Sequence, residues 1–555
     1  MTRLFFKTLQ LAIVQSCLGA IYDSFTQLPQ DTFDFVIIGG GAGGNAVANR
    51  LTEIPSFSVL LLEAEPSPEG LVNYTVPFFD IYLRQPDPLD WNYTVSSAGL
   101  NNRVLTFPRG RLLGGSTSIN GLGYVRGSSD DFDRYARATG DPGWGYKLVQ
   151  NERWIAPTDN HPQIGELNPI FHGFHGINSV SLAGFPSPPD IDNRVAGVIQ
   201  ELSDEFPYNE DINSGAANGV SWVQSNIKHG TRSKFISRPN LHVLLNAQAT
   251  RLIQSSSDPI AFQSVEFASG RNDPRQRVAA SKELTSRSRS PSSTMQTQPK
   301  PLTKLPRNAT FRDELLHEWI RTDGGGPLGI SYTSHNVLQG FRRTPQYSRI
   351  TQIRLLDHGP VIFKAQCRLI LSLSMRANHS LLARMAIYRP TVTGNFLSMP
   401  ATLLTPTSRG SIRLNTTDPF TQPLIDVASL TTDFDIFGLR EAVKMTHRFL
   451  AATAWQGYIL QPASFSNLPF GATDEEIETY IRANAAPNGH VIGTASMSPK
   501  GASYGVVDPD LIVKGVSGLR VVDASILPYL PAGFTMTSTY VVAERASDMI
   551  KAKWM

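Results

Sequence analysis

Cysteine is nearly absent from this 555-residue chain, which holds only Cys17 and Cys367. Cys17 falls in an N-terminal stretch that reads as a leader, so the mature protein would keep one thiol and could form no internal disulfide. A dominant charge is also lacking. Fifty basic side chains balance 47 acidic ones, for a formal charge of +3, which argues against nucleic acid or an anionic membrane as the main partner. Long apolar runs are missing too. The segment 1–20 carries Arg3 and Lys7, then Leu9, Leu11, Ala12, Ile13 and Val14, and ends on Gly19 and Ala20. It is too short to span a bilayer and has the pattern of a signal peptide.

What is present is the composition of a globular protein, 41% hydrophobic and 17% charged, long enough for several folding units with a sizeable core. Sequons at Asn73, Asn92, Asn308, Asn378 and Asn415 fit passage through a secretory route, and a secreted, N-glycosylated chain is expected.

Phe33 to Ile38 is a short apolar, β-branched run of the kind buried on both faces of a parallel sheet. It feeds directly into glycines at 39, 40, 41, 43 and 44, so that Gly39, Gly41 and Gly44 satisfy G-x-G-x-x-G, and Asn45 to Leu51 continues as a helix. Glycines here allow a tight turn, close approach of backbone to a pyrophosphate and close packing of helix on strand. The helix N-terminus offers free N–H groups and a positive dipole end to phosphate. A second apolar run, Val59 to Leu62, ends in Glu63, 24 residues past Gly39, where an acid that binds a ribose belongs. Strand, glycines, helix, strand and acid in that order predict a dinucleotide-binding unit.

The segment Pro108 to Asn120, followed by Tyr124-Val125-Arg126-Gly127, has too few core residues for a strand or helix and reads as a loop shaped around a ligand. Its Arg109, Gly114, Gly115, Ser116, Thr117 and Asn120 resemble the first signature of the glucose-methanol-choline (GMC) family of FAD-dependent oxidoreductases. Paired glycines would let backbone amides reach a cofactor, and the short polar side chains would supply hydrogen bonds. Asn488-Gly489-His490-Val491-Ile492-Gly493-Thr494 is similar to the family's His-x-x-Gly-Thr motif, and Val507 to Leu511 with Gly518 to Pro528 are similar to its closing segment. Thr139 to Trp144 and Thr432 to Phe437 look most like fungal aryl-alcohol oxidases. The resemblance covers roughly four-fifths of the chain.

The resemblance implies FAD as cofactor, with Ala249, Asp523, Ala524 and Thr535 beside it as well. It implies removal of the hydroxyl proton of an alcohol by His490, hydride transfer to flavin N5, and reoxidation by dioxygen or a quinone. Histidine suits the base role, since its ordinary pKa of about 6.5 needs only small shifts to sit near working pH. The family's second catalytic position, a histidine or asparagine, falls on Phe534, which cannot hydrogen-bond a substrate oxygen. Losing one such bond commonly costs on the order of a hundredfold in rate, and the alternative is that Phe534 simply packs a pocket wall. No metal site is expected.

The family pattern reads as breaking after Leu284. Thr285 to Pro301 is TSRSRSPSSTMQTQPKP, a composition that predicts disorder where the family has a buried strand and a second signature. Further breaks lie at Thr231-Arg232-Ser233 and over Thr344 to Met375. They suggest misjoined coding segments.

The resulting expectation is an α/β protein, α+β overall, with a Rossmann-like FAD domain in three segments (31–145, 231–310 and 485–555) and a substrate domain of antiparallel sheet and helices (146–230 and 311–484). Arg440 to Leu450 is read as an amphipathic helix of the latter. The leading functional reading is a secreted oxidoreductase for aryl or other primary alcohols. An impaired flavin-binding paralogue or defective gene product, and a lyase of the hydroxynitrile type, are the alternatives.

Overall fold

The computed structural model describes residues 19–77, 79, 83, 87–150, 155–157, 168–173, 176, 178–181, 189–228, 231–232, 238–286, 333–340, 368–376, 396–459 and 468–555. Most of the leader, both cysteines, the tract from 287 onward and the sequons at Asn308 and Asn378 lie outside these residues.

The central sheet draws its eight strands from distant parts of the chain. These are β1 (Ala20–Tyr22), β2 (Thr32–Ile38), β3 (Val59–Leu62), β5 (Leu241–Leu244), β6 (Gln248–Gln254), β7 (Phe262–Ala268), β8 (Gln276–Ser286) and β13 (Leu519–Val521). Spatially they run β1-β5-β3-β2-β8-β7-β6, with β13 paired to the far end of β8. The β1, β5, β3, β2, β8 and β13 neighbours are parallel, while β6, β7 and β8 form an antiparallel meander.

Why β2 and β3 are apolar on every residue of their central stretch follows from their cover. Phe35, Ile37, Val59 and Leu61 face helices α1 (Ala42–Leu51) and α6 (Thr535–Trp554), meeting Ala46, Val47, Leu51, Tyr540 and Val541. Val36, Ile38, Leu60 and Leu62 face the opposite core with Val265, Phe267 and Val278. A strand buried on both faces cannot alternate polar with apolar.

The sheet takes in residues before 31 as well: Ala20, Ile21 and Tyr22 pair in register with His242, Val243 and Leu244, and Tyr22 stacks on His242. This strand therefore includes the last residue assigned to the leader. Order does not end at Leu284. Thr285 and Ser286 pair with Ile37 and Ile38 on one side and with Arg520 and Val521 on the other. A strand hydrogen-bonded to both neighbours satisfies its backbone whatever its side chains are, so polar residues there do not unmake it.

Beside this point Glu283 and Arg520 form an ion pair with side chains 1% and 3% exposed. The indole Nε1 of Trp554 donates to the second Glu283 oxygen at 3.1 Å. The end of α6 is thereby tied to the sheet, and removing one partner of so buried a pair strands the other.

A second, antiparallel sheet consists of β4 (Gly219–Trp222), β9 (Thr333–Gly340), β10 (Arg368–Arg376), β11 (Phe396–Ser398) and β12 (Ala401–Leu403). Helix α4 (Asp433–Ala451) packs on it. It starts earlier than the expected Arg440, because Thr432 caps it by accepting from the Asp435 N–H. Met445 and Phe449 on its buried face meet Val195 and Val198 of α3 (Pro189–Glu201), with Phe206 and Trp455. Helix α2 (Ser129–Thr139), with a Ser128–Asp131 capping box, and α5 (Asp474–Asn484) complete the helices used below. Among the described residues no helix is long and apolar enough to cross a membrane, and no cluster of three metal-binding side chains occurs.

Candidate active site

The glycine turn after β2 is shaped by contacts that leave no room for side chains. A Cβ on Gly43 would stand 2.2 Å from the Val522 carbonyl oxygen, and one on Gly44 would stand 2.0 Å from that of Gly39. Gly41 begins α1 without any side-chain cap, so this helix end keeps its donors for a ligand. Glu63, buried at the end of β3, accepts from the Gly40 N–H at 2.7 Å and from its neighbour Ala64 at 2.8 Å. An ionised carboxylate is purely an acceptor, the kind of group to which a ribose hydroxyl would donate.

The signature loop comes back to this turn. The N–H of Gly114 donates to the Gly40 carbonyl at 2.6 Å, and a short 3-10 turn follows over Gly115–Ser118. Within the loop Ser116 Oγ accepts from the Gly110 N–H, and Thr117 Oγ1 donates to the Gly114 carbonyl. Asp523 lies directly after Val522, the residue touching Gly43, and caps its own turn by accepting from the Ser525 N–H at 2.9 Å. Ala524 follows it. Gly39, Gly41, Gly44, Glu63, Gly114, Gly115, Asp523 and Ala524 thus converge at the C-terminal ends of β2 and β3. Ala249 stands at one remove: Ala247 N–H reaches the Glu63 carbonyl, while Ala249 pairs with Phe267 along β6.

Farther along the loop, Asn120 meets the start of α6, whose first residue is Thr535. Its Nδ2 donates to the Met536 sulfur at 3.1 Å, and the same sulfur receives Asn226 Nδ2, also at 3.1 Å. Both amides are oriented by their oxygens, since Asn120 Oδ1 accepts from Leu122 N–H and Arg232, and Asn226 Oδ1 from Asn178. Buried Arg232 clamps the loop, donating to the carbonyls of Thr117 and Asn120 at 3.1 and 2.7 Å. In the first turn of α6, the hydroxyls of Thr537 and Ser538 are buried without a hydrogen-bond partner among the described residues. A glycine cradle with an uncapped helix start, polar loop side chains and unpaired hydroxyls fits a bound dinucleotide.

His490 and Phe534 come together as edge and face, with ring centroids 5.6 Å apart and planes 60° from each other. Phe534 lies across the loop backbone, where a Cβ on Gly123 would be 2.5 Å from its ring, and packs with Val125, Ile212, Leu404 and Ala532. The His490 loop is pinned on one side by Arg109, which donates to the Gly489 carbonyl. It is pinned on the other by Ala495 and Met497 N–H groups on the Ser525 and Ile526 carbonyls.

Sequence reasoning missed three groups here. Arg232 sits where the family pattern was read as broken. Met536 has no motif of its own. The third is a buried pair in which His172 Nε2 lies 2.5 Å from Asp211 Oδ2. Asp211 also accepts from Asn213 N–H, and Asn213 in turn accepts from Arg126 N–H, next to the Val125 that packs on Phe534. None of these follows from spacing, because each partner lies in a different segment.

The family models described as GMC oxidoreductase match residues 33–293 and 406–543, so the likeness runs beyond Leu284. Dehydrogenase eriK of Hericium erinaceus is 33% identical, with 98% of each chain covered, and pyranose dehydrogenase 3 of Leucoagaricus meleagris is 32% identical over 98% of this chain and 97% of its own. The first alignment spans 606 positions, more than the chain's 555 residues, so the relative carries residues that this chain lacks. A formate oxidase variant from Aspergillus oryzae superposes with a TM-score of 0.80 at 23% identity, covering 94% of this chain and 99% of its own. A fungal aryl-alcohol oxidase gives 0.72 at 21%, covering 95% and 100%.

Proposed function

Since this chain belongs to the GMC oxidoreductase family of FAD-dependent enzymes, we propose that it oxidises the CH–OH group of an alcohol with His490 as the side-chain base. The observation that carries this reading is the apposition of His490 and Phe534, ring centroids 5.6 Å apart, in a loop that Arg109 of the signature segment holds by the Gly489 carbonyl. Bound FAD supplies the hydride acceptor, and dioxygen or a quinone takes the electrons onward.

In this scheme Gly41 and the start of α1 hold the pyrophosphate, Glu63 the ribose, and the 114–120 loop the flavin end. His490 receives the hydroxyl proton. Phe534 contributes no hydrogen bond, so the substrate oxygen is held from one side only, while the carbon framework rests on an aromatic wall. Such a wall favours an aryl or other apolar primary alcohol. A pyranose carbinol is the second reading, supported by the names of the relatives at about one-third identity. Anaerobic addition of each class to the yellow protein separates them, because only the true substrate bleaches the flavin. Cleavage of mandelonitrile without bleaching would instead support a lyase.

Secretion is part of the same proposal. It is supported by the leader pattern and by the exposure of Asn73, Asn92 and Asn415, and is tested by N-terminal sequencing and glycosidase-sensitive mass of the mature chain.

A further inference from the structure

Arg109 stands in the signature loop among residues expected at the cofactor, yet its guanidinium is committed to the loop of the base. Nη2 donates to the Gly489 carbonyl at 2.5 Å and Nη1 to the Pro108 carbonyl at 3.0 Å. The guanidinium carbon lies 4.1 Å from the centroid of the Phe107 ring. Phe107 is buried in a hairpin in which Leu105–Phe107 pairs with Tyr93–Val95. The Arg109 backbone is fixed as well, its N–H donating to Asp90 Oδ1 at 3.0 Å and its carbonyl accepting from Trp91 N–H at 2.8 Å.

Gly489 directly precedes His490 and adopts φ +73°, a left-handed conformation that glycine takes without steric cost. A Cβ there would sit a tight 3.2 Å from Arg109 Nη1, so a side chain at this position would press on the guanidinium. Gripping the Gly489 carbonyl fixes the peptide plane that carries the His490 N–H, and with it the direction in which the imidazole leaves the backbone. A stacked, planar guanidinium loses little freedom in making this bond.

We infer that Arg109 is a positioning residue for His490, acting through the Gly489 carbonyl. This rests on His490 being the base. It differs from a cofactor-binding role in what it predicts: the base moves while the flavin stays.

The test compares wild type with Arg109→Met, Arg109→Lys and His490→Ala as holoenzymes. FAD content is read from the visible spectrum, folding from the thermal midpoint, and flavin reduction by the alcohol is followed anaerobically across pH. Arg109→Met should keep FAD and reduce it on the order of a hundredfold more slowly, the penalty of a misplaced group, with the pH profile displaced. Arg109→Lys, which can still donate to the carbonyl, should recover part of the rate, and added guanidinium should partly rescue Arg109→Met. Loss of FAD from Arg109→Met would overturn the inference in favour of a cofactor contact, as would a wild-type rate and pH profile in that variant. If Arg109→Met does not fold, Arg109→Gln, too short to reach the Gly489 carbonyl, takes its place: a wild-type rate and pH profile in it would overturn the inference, whereas a reduced rate with FAD retained would support it. His490→Ala serves as the separate control: if it reduces flavin normally, the base assignment fails and the inference falls with it.

Discussion

The rings of His490 and Phe534 meet edge to face with centroids 5.6 Å apart, so the proposed base has an apolar neighbour where the family resemblance leads one to expect a second polar side chain. Placing a donor at that position should raise the rate. Phe534→His is expected to accelerate flavin reduction by on the order of a hundredfold, the worth of one hydrogen bond made in the transition state. Anaerobic reduction kinetics measure it, and an unchanged rate with FAD retained would mean that Phe534 is only a wall.

How much of this was legible in the sequence depended on distance along the chain. The glycine turn, α1, β3 and Glu63 follow one another within a few dozen residues, and each is dictated by local sterics, so spacing found them. The loop at 109–120 and the His490 motif were found by resemblance. Arg232, Met536 and the His172–Asp211 pair were not, because their partners come from other segments and no periodicity reports on that. Thr285 and Ser286 misled for a related reason: side-chain polarity suggested disorder, whereas hydrogen bonding to strands on both sides decides the matter.

The Met536 sulfur is a weak acceptor that serves two oriented amides. Met536→Leu keeps the volume and removes the acceptor, which should cost about 1–3 kcal/mol per stranded donor. Met536→Gln restores an oxygen and should come close to wild type. Urea unfolding of the two holoenzymes checks this, and equal stability of Leu and wild type would show that the sulfur holds neither amide.

Two buried carboxyls predict opposite pH trends. Burial raises the pKa of Asp211, but the hydrogen bond and charge of His172, with N–H groups of Asn168 and Asn213, outweigh it and hold the carboxyl below its ordinary range. Its contribution to stability is therefore complete above about pH 4 and is lost as pH falls through the depressed value. For Asp90, burial prevails over the N–H groups of Arg109 and Asn92, and the pKa is pushed up to about 6. From about pH 4 to 6 the folded protein holds a proton that the unfolded chain has released, so this group's contribution declines as pH rises through that window. Thermal midpoints from pH 3 to 8 should show the Asp211 slope disappear in Asp211→Asn and the Asp90 slope in Asp90→Asn. Slopes matching wild type in both variants would contradict the assignment.

Removal of the hydroxyl proton by His490 is read most plainly in the single-turnover reduction of the flavin by an aryl alcohol without oxygen. Wild type should bleach with a rate that rises as the imidazole loses its proton. His490→Ala, with FAD bound, should bleach at least on the order of a hundredfold more slowly and without that rise. A His490→Ala holoenzyme that bleaches at the wild-type rate with the wild-type pH dependence would contradict the account.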